Sequence, residues 1–71
     1  MAYSEGTCVE WDWGSGKGSG KIVKRYTGKI TLNISGTEVT RNATEDEPAY
    51  KIVQEDGGEV LKSESELRRA T

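Results

Sequence analysis

Short runs of alternating apolar and polar residues, each closed by glycine, constrain this 71-residue chain more than any other feature. In "TCVEWDW", Val9, Trp11 and Trp13 fall on one side while Cys8, Glu10 and Asp12 fall on the other. That period of two belongs to a half-buried strand. "KITLNI" repeats it, with Ile30, Leu32 and Ile34 opposite Thr31 and Asn33. No stretch keeps the apolar stripe of a helix. The chain therefore reads as all-β, with five short strands closing into a small barrel, since closure removes the sheet edges that invite aggregation.

The punctuation between strands supports that reading. "GSGKGSG" interrupts the first alternation, Gly28 suggests a bend or bulge, and Ser35–Gly36 supplies a tight turn into "TEVTR", where Val39 points inward. Thr44 followed by Glu47 makes a capping box and predicts a short helical turn over 45–47, ended by Pro48. "AYKIVQ" is a strand with Tyr50 and Ile52 on one face, and "EDGG" turns the chain into "EVLK". A second capping box, Ser63 with Glu66, predicts a turn or short helix over 63–67. The folded domain is expected over residues 7–67, with 1–6 disordered and 68–71 frayed.

Composition narrows the chemistry. A domain this small has a thin core, and with 32% apolar residues and no Phe, its Val, Ile, Leu and Trp side chains are needed for packing. The absence of His removes the commonest general base, the Ser-His and Cys-His nucleophile pairs and most zinc sites. A single cysteine, Cys8, builds neither a metal cluster nor an internal disulfide. The acids Glu45, Asp46 and Glu47, and Glu55 with Asp56, sit in turns without the spacing of a calcium loop. No apolar run is long enough to span a bilayer and no secretory leader is visible, so a cytoplasmic, monomeric, non-catalytic protein without cofactor or metal is expected. Asn33 and Asn42 head glycosylation triplets that, without a leader, carry no meaning.

The glycine-rich stretch fails as a phosphate cradle. A Walker-type loop started at Gly14 needs glycine at position 19, which is Ser19; started at Gly16 it needs one at 21, which is Lys21. The dinucleotide pattern fails at the same two positions. Both motifs also need a helix after the loop, whose N-terminus offers free N–H groups, and here a strand pattern follows. The stretch reads instead as a mobile hairpin loop.

Recognition remains. Trp11, Trp13, Tyr26 and Tyr50 either fill the core or, with Asp12, Asp46 or Glu47, wall a pocket for a cation. Trp11, at mid-strand, is the core anchor; Trp13 borders the glycine loop and Tyr50 follows the Pro48 loop, which makes them the better cage candidates. A second route is nucleic acid. Lys17, Lys21, Lys24, Arg25 and Lys29 concentrate positive charge in one hairpin, although the chain as a whole carries −2.

The segments "VEWDWGSGKGSGKIV" and "GTEVTRNATEDEPAYKIVQEDGGEVLKSESEL" resemble the hypervirulence-associated Tudor-domain family of bacteria and fungi, from about Thr7 to Leu67. The resemblance implies an SH3-like barrel of the Tudor type, usually a small stand-alone bacterial protein. In Tudor readers the cage comes from aromatics in the loops after the first and third strands, and the corresponding positions here are Trp13 and Tyr50. Fold alone does not carry function. Binding of a protein or peptide near Trp13, the glycine loop and Tyr50 is the expected activity, with nucleic-acid binding as the alternative.

Overall fold

A computed structural model describes residues 3–34 and 36–70, the side chain of Trp13 apart. Among these residues it holds seven strands: β1 Cys8–Trp13, β2 Gly16–Tyr26, β3 Ile30–Ile34, β4 Thr37–Arg41, β5 Ala49–Gln54, β6 Glu59–Ser63 and β7 Arg68–Arg69. One 3-10 turn, Glu64–Glu66, lies between β6 and β7. The all-β expectation holds. The barrel does not close, because the strands form a five-stranded sheet in the order β6-β5-β2-β1-β7 and a separate β3-β4 hairpin. That hairpin pairs only with itself and packs on the sheet through side chains. Ser35, half of the expected turn, lies outside the described residues, while its neighbour Gly36 takes φ +80.

The glycine-rich stretch is strand rather than mobile loop. Trp13 pairs with Gly16 and β2 runs on from there, so only Gly14 and Ser15 turn the chain. Gly14 adopts φ +51, in the left-handed region that glycine enters without steric cost. Gly18 and Gly20 answer to packing. Gly18 lies directly opposite Trp11, and a Cβ there would stand 2.6 Å from the indole Cε2 and Nε1. At Gly20 it would stand 2.6 Å from Ile52 Cγ2 and from the carbonyl oxygen of Val53. The indole is seated in space that Gly18 leaves open, and Gly20 admits the close approach of β5.

β2 also contains the sheet's one irregularity of register, between Ile22 and Lys24. Up to Ile22 its even-numbered residues share the inner face with Val9, Trp11 and Ile52. Past Val23 the parity reverses, so Arg25 lies opposite Tyr50 and Lys24 opposite Lys51. A β-bulge has this effect, since one extra residue moves every later side chain to the other face. Gly28, the position expected to bend or bulge, sits in a bend before β3.

Two apolar clusters follow from this arrangement. Val9, Trp11, Ile22, Tyr50, Ile52 and Leu67 form the inner core, joined by Tyr3 and Val60. Ile34, Ala43, Ala49 and Leu61 form a second, which joins the β3-β4 hairpin to the sheet through Tyr26, Ile30, Leu32 and Val39.

The terminal segments are tied in. The Tyr3 N–H donates to Tyr50 Oη at 2.9 Å, and the Tyr50 hydroxyl donates to Glu64 Oε1 at 2.9 Å. The Tyr3 and Tyr50 rings meet edge to face at 5.7 Å. At the other end β7 pairs with β1, and the Ala70 N–H donates to the Cys8 carbonyl at 3.1 Å. Of the two helical turns expected, 45–47 is a bend in which Thr44 Oγ1 accepts the Glu47 N–H at 3.0 Å before Pro48 ends it. Residues 64–66 form the single 3-10 turn, with Glu66 Oε1 accepting the Ser63 N–H at 2.9 Å.

Candidate functional site

The bulge in β2 borders a concavity on the outer face of the sheet. With the register displaced, Val23 projects from the sheet and is 42% exposed, the one exposed large hydrophobic side chain among the described residues. It lines a groove of about 610 Å³ on the outer face, together with Cys8 from β1, Ser19 and Lys21 from β2, Val53 from β5 and Glu55 beyond it. The groove crosses the strands rather than following one of them. Ala70 closes it on the β7 side.

Charge on this outer face is ordered. Arg68, on β7, donates from Nε to Glu10 Oε1 at 2.8 Å and from its two terminal nitrogens to Asp12 at 3.1 and 3.0 Å. This fork holds the Asp12 carboxyl below its ordinary range, chiefly through the hydrogen bonds from Arg68 and then through its charge. The same bonds, with those to Glu10, hold the guanidinium protonated. Lys51 pairs with Glu59 at 3.4 Å. Lys17, Lys21 and Lys24 share the face and form no ion pair among the described residues.

The residues singled out from sequence are distributed differently. Tyr50 is fully buried, and burial pushes its phenol above the ordinary value. Trp13 ends β1 opposite Gly16, whereas Tyr50 faces Arg25, so the two lie toward opposite ends of β2 and are not brought together. The Trp13 side chain lies outside the described residues. Tyr26 is half-buried on β2 with the Lys24 ammonium over its ring at 5.8 Å, Asp12 is held by Arg68, and Asp46 sits in the exposed 45–47 bend. Other rings are likewise faced by cations of the chain itself: Lys62 lies 5.9 Å from the Trp11 ring and Arg69 lies 5.7 Å from that of Tyr3.

The basic residues also divide. Lys17, Lys21 and Lys24 lie on the outer face, Arg25 lies across the bulge on the inner side, and Lys29 stands in the connection to β3. Val23, Val53 and Ala70 line the groove and Arg68 holds Glu10 and Asp12 on the same face, and the sequence reading passed over all four. The doubled apolar pair Ile22–Val23, set between Lys21 and Lys24, is the signal that could have found the bulge.

The family model described as the hypervirulence associated proteins Tudor domain matches residues 6–67. No curated protein and no solved structure matches the chain.

Proposed function

The chain belongs to the hypervirulence-associated Tudor-domain family, and from that premise we propose that it is a small non-catalytic module that binds a protein or peptide segment in the groove on the outer face of its sheet. The observation that carries this reading is Val23. A bulge holds an aliphatic side chain out in solvent above Val53, where a partner's apolar side chain can cover it. Val23 is 42% exposed, so covering it contributes less than half of the about 1.5–3 kcal/mol of a fully exposed aliphatic side chain, and several such contacts together make a reversible complex. The groove is preferred to an aromatic cage because Tyr50 is buried and the rings of Trp11, Tyr3 and Tyr26 already face cations of the chain. On the same premise the architecture is an SH3-like barrel left open at the β3-β4 hairpin.

Cys8 offers the test, since it is the chain's only cysteine and lines the groove. A photo-crosslinker attached there should capture protein from a cell extract. Val23→Asp, at an exposed position, should leave the fold intact and abolish the adducts. Adducts that survive Val23→Asp, or consist of nucleic acid, would refute the reading.

A further inference from the structure

We infer that the groove takes an acidic segment carrying aliphatic side chains, its carboxylates against Lys21 in the lining and Lys24 next to Val23 outside it, and its apolar side chains against Val23 and Val53. This rests on the groove reading above and gives it a partner chemistry. The argument is one of charge complementarity on a single face. Of the acids on the outer face, Glu10 and Asp12 are engaged by Arg68 and Glu59 by Lys51, which leaves Glu55 at the end of the groove as the acid beside Lys21. Lys21 and Lys24 flank Val23 in β2 and have no ion pair among the described residues. A chain with net charge −2 thus presents, beside its exposed aliphatic side chain, ammonium groups that its own carboxylates leave unpaired. A segment that alternates carboxylates with Leu, Ile or Val satisfies both features, and a basic one satisfies only the aliphatic one.

A polyanionic nucleic acid fits less well. The groove's lining contains no aromatic ring on which bases could stack.

The probes are three synthetic ten-residue peptides alternating Leu with Glu, with Ser or with Lys, and a ten-residue oligothymidylate. Each is titrated into the full chain while the amide signals of Cys8, Val23 and Val53 are followed by NMR and the alkylation rate of Cys8 by iodoacetamide is measured. The Glu–Leu peptide should shift those amides and slow alkylation, and added salt should weaken both effects. Replacing Lys21 and Lys24 together by Glu should reduce its binding about tenfold, the scale expected when two rim contacts turn repulsive. Lys21→Gln with Lys24→Gln, which only neutralises, should give an intermediate loss and guards against a folding defect in the reversal.

Equal binding of the Ser–Leu or Lys–Leu peptide would overturn the acidic partner while leaving the groove as a docking site. Silence of all three peptides, with protein still captured at Cys8, would do the same; silence together with loss of capture would end both readings. Preferential binding of the oligothymidylate would replace the acidic segment with nucleic acid.

Discussion

Adding one methyl group at Gly18 should destabilise the protein, although the same change in a flexible glycine loop would stabilise it. The Cβ of Gly18→Ala would stand 2.6 Å from Trp11 Cε2 and Nε1 and 2.7 Å from Cζ2. The ring is 3% exposed and cannot swing clear without dislodging Val9, Ile22 or Ile52. Overpacking of this kind costs about 1–3 kcal/mol, offset by about 0.5–1 kcal/mol because alanine restricts the unfolded chain. A net loss of about 1–2 kcal/mol is a large share of the roughly 3–5 kcal/mol that a core of this size supplies, and lowers the melting temperature by about 5–15 °C. Gly16→Ala is the control, because a Cβ there meets nothing within 4 Å and the backbone is not left-handed, so its melting temperature should hold or rise. Thermal unfolding followed by far-UV circular dichroism measures both. In a Trp11→Leu background the penalty at Gly18 should vanish, which a double-mutant cycle would record as coupling between the two positions. If Gly18→Ala behaves like Gly16→Ala, the stretch is a loop after all and the account of how Trp11 is seated is wrong.

Tyr50→Phe should cost about 1–2 kcal/mol in urea unfolding, because it strips the Tyr3 N–H of its acceptor and Glu64 of a donor. Since burial raises the Tyr50 pKa in the folded state, the stability it contributes is complete below about pH 10 and is lost as pH rises beyond; Tyr50→Phe should flatten that alkaline fall. Asp12 behaves in the opposite sense. Its folded pKa is depressed by Arg68, so its contribution is present above about pH 4 and is lost as pH falls through the folded value, and Asp12→Asn should reduce the slope of stability against pH in that acid window. Glu66→Ala removes the acceptor of the Ser63 N–H and of Arg41 Nε, at 2.9 and 3.2 Å, and should cost about 0.5–2 kcal/mol, with faster hydrogen exchange at Ser63.

What could be read from the chain alone was whatever depends on neighbours in sequence. Alternation placed Val9 and Trp11 inward and Cys8, Glu10 and Asp12 outward, and paired Tyr50 with Ile52 on one face, because strand geometry fixes those relations without reference to a partner. The capping box at Ser63 and Glu66 is equally local. The long-range contacts had no such signature. Arg68 reaches Glu10 and Asp12 across separations of 58 and 56 residues, and a terminal "RRAT" bears no mark of being a strand. Tyr3 is likewise placed by Tyr50, 47 residues away. Nor does composition distinguish a glycine that bends the chain from one that leaves space for an indole, since that depends on which residue lies opposite.

Val23 shows why the site was harder to read than the fold. Counted along the sequence, Lys17, Lys21, Lys24, Arg25 and Lys29 are one basic hairpin. Counted through the register, the extra residue leaves Lys21 and Lys24 on one face, although they are three positions apart, and sends Arg25 to the other. The same displacement exposes Val23 beside those two lysines. An uninterrupted strand would have put Lys24 on the inner face and Arg25 on the outer one, so the bulge decides which of the two cations lies opposite Tyr50. The bulge thus sets Arg25 rather than Lys24 opposite Tyr50 and, as a direct consequence, leaves Lys24 on the face of Lys21 beside the exposed Val23, the aliphatic and cationic surface on which the binding proposal rests.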